Sequence, residues 1–232
     1  MHILFTRPLE DSKEIIIKFQ NLGHKISHLP VLNIKEKKHE KINFSNYHAV
    51  IFTSANSIKF LQSNDIDKNI SCFCVGEATE RKASTFGFQN IFSAEGNVHN
   101  LKEIILRNHS PKKGKILYIS GETITMDLDK KLILEGYNVD RIVNYSTDFN
   151  EYLNEEFLKE LRGEIPDIVY IYSQNSAKSF LNIIKKYELI DLWMDTNLMC
   201  IGDKTSNILN EIKWKKIFLF NPGEEEFLLY KI

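Results

Sequence analysis

The sequence predicts an α/β protein with two similar lobes, each a doubly wound parallel sheet, joined by a two-stranded antiparallel linker. Three observations support this prediction. Blocks of sequence recur in the same order in both halves, each block joins a strand-like apolar run to helical periodicity, and one segment in each half exceeds the length of a typical strand. Strands that alternate with helices through short connections form parallel sheets covered on both faces.

The most informative signal is an internal repeat. The recurring blocks keep their order and nearly constant spacing, which two unrelated α/β segments rarely share. We therefore interpret the chain as an internal duplication. The matched blocks are residues 3–5 with 116–118, 51–59 with 170–178, and 74–79 with 200–205.

Each lobe contains strands that lead into amphipathic helices. After the first strand, Ile15, Phe19 and Leu22 lie at helical spacing, and Gly23 tolerates the left-handed conformation that ends many helices. The copy keeps this stop at Gly136. Each lobe should therefore be a small flavodoxin-like sandwich of helices around a sheet.

The segments 25–37 and 138–149, which follow the first helix of each half, are long for one strand. We expect each to pass from one lobe to the other, and the two to pair antiparallel as equivalents in the duplication. The predicted boundaries are 1–33 with 150–232 for the first lobe, 40–142 for the second lobe, and 34–39 and 143–149 for the linker strands.

Composition excludes several classes of protein. The 232 residues are 43% hydrophobic and 26% charged, with 30 Lys+Arg against 31 Asp+Glu. This balance offers no basic field for nucleic acid, so we expect no nucleic-acid partner. The chain enters a strand pattern at once and has no apolar run of membrane-spanning length. We expect a cytoplasmic monomer that does not bind a membrane.

Known catalytic and metal-binding patterns are missing from the sequence. There is no phosphate-binding Gly-rich loop, no dinucleotide fingerprint and no Gly-x-Ser-x-Gly motif. The seven histidines and three cysteines show no metal-ligand spacing. We therefore expect no metal and no bound cofactor.

Hydroxyl groups and glycines occupy the predicted strand-to-helix turns. Ligands of parallel sheets bind outside the carboxyl ends of the strands, where helix N-termini present unpaired N–H groups to anions. Helix capping is the alternative explanation for each single residue. Two such edges could face each other and hold a small polyanion. The candidate binding residues are Thr6, Arg7, Ser54, Asn56, Gly76, Thr79, Ser120, Gly121, Ser173 and Thr205.

Taken together, the ordered motifs resemble those of the uroporphyrinogen-III synthase family over essentially the whole chain. The motifs are residues 3–8, 51–57, 75–79, 119–121, 143–147 and 201–205. The family fold has two doubly wound lobes joined by a two-stranded ladder, in agreement with the linker expected above. One departure is the segment 122–126, which is not basic although the family often places a basic residue there.

The resemblance implies an enzyme of haem biosynthesis. Its reaction closes hydroxymethylbilane, a linear tetrapyrrole polycarboxylate, to uroporphyrinogen III, with inversion of the terminal pyrrole ring, loss of water and no cofactor. Tyr145 matches the family tyrosine proposed to help the hydroxyl depart, and it is the single catalytic candidate. A tyrosine in a half-buried strand is the ordinary alternative.

A second function fits the same residues. A non-catalytic two-lobed protein that binds a small organic anion would also show duplication and hydroxyl-rich turns. The ordered motifs, with Tyr145 in the return segment, favour the enzyme.

Overall fold

The computed structural model describes residues 1–61, 66–221, 223–227 and 229, and these form an α/β fold with two mainly parallel sheets. The strands are β1 His2–Phe5, β2 Lys25–His28, β3 Leu32–Glu36, β4 Ala49–Phe52, β5 Ser71–Val75, β6 Ile91–Ala94, β7 Ile116–Gly121, β8 Val139–Phe149, β9 Ile168–Ile171, β10 Asn197–Cys200 and β11 Lys216–Leu219. The helices are α1 Leu9–Asn21, α2 Ala55–Lys59, α3 Glu77–Phe86, α4 Val98–Asn108, α5 Leu128–Leu134, α6 Glu155–Gly163, α7 Gln174–Lys186 and α8 Asp203–Ile208.

The chain divides into two compact units. Unit 1 comprises Met1–Asn33 and Asp148–Ile232, and unit 2 comprises Ile34–Thr147. Unit 1 is therefore discontinuous in sequence, whereas unit 2 is one continuous segment.

The sheet of unit 1 has the strand order β11-β10-β9-β1-β2, and its neighbouring strands pair in parallel. Alternate residues of β1 enter different cores: Ile3 and Phe5 pack with Phe19 of α1, while Leu4 packs with Phe180 of α7. Both faces of the sheet are covered, and this explains why β1 is apolar throughout instead of alternating with polar residues.

The sheet of unit 2 has the strand order β3-β8-β7-β4-β5-β6. It also has two cores. Val50 and Phe52 of β4 pack on one side with Ile58 of α2, and Ala49 and Ile51 pack on the other. Burial on both faces fixes the sheet, so that the carboxyl ends of β7, β4 and β5 lie side by side at one edge.

Strand β8 has two partners along its 11 residues. Its first half pairs in parallel with β7, with a register irregularity between Ser120 and Gly121. Its second half lies beside β3. Asn150 N donates to Val31 O, and Lys37 N donates to Asn144 O, both at 2.9 Å. The residue numbers fall on one strand as they rise on the other, which is the antiparallel pattern.

The linker strands differ in extent from the predicted 34–39 and 143–149. The first begins at Leu32 and ends at Glu36, within the charged run that starts at Lys35. The second continues back to Val139, because its amino-terminal half also completes the sheet of unit 2. In the first half of the chain, β2 and β3 remain separate strands on either side of Pro30, which has no N–H to donate to a ladder.

The predicted α/β class with parallel sheets is confirmed. In the described part of the chain, no helix combines the length and apolar character needed to cross a membrane. The same residues contain no group of three or more histidine, cysteine or acidic side chains placed to hold a metal ion.

Candidate functional site

In unit 2, candidate residues follow three neighbouring strands, β7, β4 and β5. Ser54 comes two residues after the end of β4 and caps α2, where its side-chain oxygen accepts a hydrogen bond from Asn56 N at 3.2 Å. Both side chains are half-buried. The cap satisfies the Asn56 N–H group and holds the start of α2 at the edge of the sheet.

Gly76 forms the next turn, between β5 and α3. Its φ of 78° lies in the region that favours glycine, and its carbonyl accepts hydrogen bonds from Thr79 N and Glu80 N, each at 3.1 Å. Thr79 is 4% exposed and lies on the first turn of α3. Without a side chain at Gly76, the backbone at this turn is open to close approach by a ligand.

Tyr145 of β8 lies directly against Gly121 at the end of β7. A Cβ placed on Gly121 would be 2.6 Å from Tyr145 Cζ and 2.8 Å from its hydroxyl oxygen. The backbone is tied at the same point, where Glu122 N donates to Tyr145 O at 2.9 Å. Tyr145 is 9% exposed. The structure therefore brings the catalytic candidate and the Ser-Gly turn together.

Sequence reasoning missed Arg141, which holds this turn. Its Nε donates to Ser120 Oγ at 2.8 Å, and its Nη2 donates to Gly121 O at 2.9 Å and to Glu122 O at 3.2 Å. Arg141 pairs in register with Tyr118 on β7. Its side chain bonds to residues 120–122, so it extends along the sheet toward the carboxyl end of β7. Arginine is scarce in this chain, so an arginine within a predicted strand was a signal that could have identified Arg141 as a candidate site residue.

A second missed pair connects β4 to β7. The hydroxyls of Thr53 and Tyr118 are 3.0 Å apart, and Tyr118 is 1% exposed. Burial raises the pKa of Tyr118, while the bond to Thr53 and the positive charge of Arg141 oppose the rise. Tyr118 therefore stays a neutral phenol near neutral pH. Neither residue could be identified from sequence, because the strand register decides which side chains meet.

Asn144, next to Tyr145, is fully buried and connects β8 to α2. Its Nδ2 donates to Ser57 O at 2.7 Å. Its backbone carbonyl accepts from Lys37 N. Within the described structure, its Oδ1 is buried and accepts no hydrogen bond. Asn144 thus fixes the position of β8 at the site from two sides.

In unit 1, the turn after β1 carries Thr6 and Arg7. Thr6 is fully buried, and its hydroxyl donates to Tyr170 O on β9 at 2.6 Å. The guanidinium of Arg7 lies 4.4 Å from the ring centroid of Tyr172, and its carbonyl accepts from His28 Nε2 at 2.8 Å. Thr6 joins neighbouring strands, while Arg7 is half-buried and stacked on an aromatic face.

Two further turns follow the neighbouring strands β9 and β10. Ser173 caps α7 by accepting from Ser176 N at 3.1 Å. Thr205 is 3% exposed on α8, whose preceding residue Gly202 has a φ of 71°. The turn repeats the geometry of Gly76 in unit 2.

The structure thus collects Thr6, Arg7, Ser173 and Thr205 at the carboxyl edge of the unit 1 sheet. The other candidates lie in unit 2, with the Ser54, Gly76 and Ser120–Gly121 turns on adjacent strands. Capping accounts for the hydroxyls of Ser54 and Ser173, and strand bonding accounts for that of Thr6. Backbone amides, Tyr145, Arg141 and Arg7 are the groups that can act on a polyanion.

The sequence is similar to known proteins over most of its length. Residues 13–219 match the sequence model of one family, described as uroporphyrinogen-III synthase HemD. An uncharacterised protein of Rickettsia prowazekii is 21% identical over 99% of this chain and 97% of its own length. The porphyrin biosynthesis protein HemD of Ruminiclostridium josui is 24% identical over 88% of this chain, which spans 42% of that longer protein.

Solved structures share the fold. A crystal structure of uroporphyrinogen-III synthetase from Helicobacter pylori 26695 matches with a TM-score of 0.61 at 18% identity, over 100% of this chain and 99% of that one. A mutant uroporphyrinogen III synthase from the extremely thermophilic bacterium Thermus thermophilus matches with a TM-score of 0.58 at 14% identity, over 100% and 97% of the two chains. The α/β fold predicted from sequence is therefore that of solved synthases.

Proposed function

The chain belongs to the uroporphyrinogen-III synthase family, and from this membership we propose that it closes hydroxymethylbilane to uroporphyrinogen III in haem biosynthesis. The family predicted from sequence is confirmed. Loss of water from the substrate makes the reaction a lyase reaction, and the family chemistry takes no cofactor. The assignment of individual residues within the reaction is our proposal.

The proposed reaction begins when the hydroxyl takes up a proton and departs as water, which leaves an azafulvene cation on the first pyrrole ring. The substituted carbon of the terminal ring then forms a bond to this cation and gives a spiro intermediate. The bond from the spiro carbon to the methylene of the neighbouring ring breaks and leaves a second azafulvene cation on that ring. The terminal ring turns over, its unsubstituted carbon bonds to this cation, and loss of a proton closes the macrocycle and balances the proton taken up in the first step. Because the substrate closes by itself to the uninverted isomer, the protein must favour one conformation of the chain.

The contact of Tyr145 with Gly121 is the observation that carries this proposal. It places a phenol at the carboxyl edge of the sheet, beside a turn with no side chain at Gly121. We propose that Tyr145 donates a hydrogen bond to the departing hydroxyl and so supports its loss.

The turns at the strand ends would hold the carboxylates of the substrate. Amides at the start of α3 and α7 present N–H groups with the positive end of the helix dipole, and both helices have at least ten residues. The remaining proposed contacts come from the turns that contain Thr6, Arg7, Ser54, Asn56, Gly76, Thr79, Ser120, Gly121, Ser173 and Thr205, through backbone amides where the hydroxyl is already bonded within the protein. Neutral N–H and O–H donors suit the binding of the substrate, because they hydrogen-bond to its carboxylates without adding acid or base chemistry.

We also propose that the chain is an internal duplication. In support, the repeated blocks hold the same places in the two sheets: β2-β1-β9-β10-β11 corresponds to β8-β7-β4-β5-β6. Gly76 and Gly202 share the same backbone conformation before equivalent helices, as do the helix caps Ser54 and Ser173. A monomer in the cytoplasm remains our proposal, supported by three buried, free cysteines that suit a reducing compartment.

The decisive experiment adds purified protein to freshly generated hydroxymethylbilane and separates the porphyrin isomers after oxidation. A predominance of the type III isomer is expected. If the product matches the type I isomer of the enzyme-free reaction, synthase activity is ruled out. Tight binding of the tetrapyrrole without type III product would instead support the non-catalytic binding protein.

A further inference from the structure

Arg141 keeps a positive charge at the Ser120–Gly121 turn. Its three described hydrogen bonds all go to neutral oxygens, one hydroxyl and two backbone carbonyls. Neutral acceptors orient a guanidinium but do not cancel its charge. These bonds use Nε and Nη2, so Nη1 takes part in none of them. The side chain is half-buried, which strengthens its attraction for an anion compared with a fully solvated arginine.

Three of the carboxylates near this turn have lysine partners. Glu122 pairs with Lys37, Asp127 with Lys130 at 2.9 Å, and Asp140 with Lys115 at 2.5 Å. The charge of Asp129 raises the pKa of Tyr118, whereas the charge of Arg141 lowers it. The buried Oδ1 of Asp129 accepts no hydrogen bond in the described structure. Among the described residues, no ion pair within 4.0 Å joins Arg141 to an acidic side chain.

Arg141 lies close to Tyr145, the proposed catalytic residue, because both contact Gly121. The carbonyl it holds belongs to Gly121, and the ring of Tyr145 rests on that glycine. Residues 122–126 contribute no basic side chain to this turn. An anion that binds Arg141 would therefore lie close to the phenol of Tyr145.

We propose that Arg141 forms a carboxylate-binding subsite beside Tyr145, which anchors the pyrrole ring that carries the hydroxymethyl group. This inference rests on the proposed function. Holding that ring by its carboxylate keeps the departing hydroxyl next to Tyr145 while the other rings fold. The guanidinium suits this role because it keeps its positive charge and because Nη1, which takes part in none of the three bonds, can donate to a carboxylate oxygen.

The test compares Arg141→Gln, which removes the charge, with Arg141→Lys, which keeps the charge but not the guanidinium that bonds to Ser120, Gly121 and Glu122. Arg107→Gln is the control, since Arg107 is an exposed arginine in the last turn of α4 in the same unit. We expect Arg141→Gln to raise the KM for hydroxymethylbilane about tenfold. Arg141→Lys should retain most of the affinity, and Arg107→Gln should leave KM unchanged.

The dependence of KM on ionic strength separates binding from a purely structural role. Added salt weakens charge–charge attraction, so KM of the wild type and of Arg141→Lys should rise with salt, while that of Arg141→Gln should rise less. Equal increases in KM for the Gln and Lys variants, with the same salt dependence, would show that Arg141 only holds the turn. An unchanged KM in Arg141→Gln would also overturn the subsite.

Two controls keep the result interpretable. Thermal unfolding establishes that each variant is folded. If Arg141→Gln does not fold, the dependence of KM on ionic strength in Arg141→Lys decides the question. A KM in Arg141→Lys that rises less with salt than that of the wild type contradicts the proposal. Wild-type protein is assayed first. Absence of the type III isomer there refutes the proposed function, whereas an active wild type with unaffected Arg141 variants refutes this subsite alone.

Discussion

The phenol ring of Tyr145 lies so close to Gly121 that an added Cβ would come within 2.6 Å of its Cζ. The ring of Tyr145 on β8 occupies the space that a side chain at Gly121 on β7 would fill. The arrangement fixes the ring at the edge of the sheet, and it gives two tests of the catalytic assignment.

Tyr145→Phe removes the hydroxyl and keeps the ring on Gly121. We expect kcat to fall by about 100-fold, because a positioned proton donor contributes on that scale, while stability changes little. The measurement is turnover of hydroxymethylbilane to the type III isomer, with thermal unfolding in parallel. Tyr152→Phe, at a 67% exposed tyrosine, is the control. Normal turnover in Tyr145→Phe would remove the catalytic assignment.

Gly121→Ala should displace the ring of Tyr145. The overlap with Cζ and Cε2 forces the strands or the ring to move, so we expect a loss of about 1–3 kcal/mol in the free energy of unfolding and a fall in kcat. Chemical denaturation and the isomer assay measure the two effects. Gly163→Ala is the matched control, since a Cβ there meets nothing within 4 Å. Equal stability of the two variants would contradict the close packing.

Ser173→Ala tests capping against substrate contact at α7. Loss of the cap should cost about 1 kcal/mol of stability, and loss of a hydroxyl contact should raise KM by up to about tenfold. Ser110→Ala, at the cap of the short turn Pro111–Lys113, should affect stability only. If KM of Ser173→Ala stays at the wild-type value, Ser173 is a cap and not a substrate contact.

Buried His109 should make stability depend on pH. Burial lowers its pKa below the ordinary 6.5, so the unfolded chain takes up a proton before the folded protein does. The free energy of unfolding should therefore decrease as pH falls below 6.5, and the loss should end below the lowered pKa of the folded state. His2 and His24, whose pKa values are also lowered by burial, contribute in the same direction.

His109→Gln should reduce this pH dependence. The comparison is denaturant unfolding at several pH values from about 7.5 down to about 5, for His109→Gln and for the exposed control His99→Gln. A slope in His109→Gln equal to that of the wild type would show that His109 does not titrate with folding.

Much of the fold follows from local sequence signals. The stops at Gly23 and Gly136 have positive φ, and the turns at Ser54 and Ser173 are helix caps. These features depend on residues a few positions apart, so they can be identified before any tertiary contact is known. The family resemblance added the chemistry, which local patterns alone could not supply.

The site is harder to predict, because register decides it. Arg141 reaches the Ser120–Gly121 turn only because β8 pairs with β7 so that Arg141 lies opposite Tyr118. A shift of one residue would place its side chain on the other face of the sheet.

The discontinuity of unit 1 bears on how the chain is made. Strand β1 lies between β2 and β9 in the finished sheet, yet β9 follows β2 only after all of unit 2. During synthesis on the ribosome, all of unit 2 is available to fold once residue 147 has emerged. The edge of β1 that pairs with β9 stays unpaired until β9, which begins at Ile168, has emerged. Strand β1 therefore exposes an apolar edge while all of unit 2 is being synthesised, which is the kind of intermediate that chaperones protect.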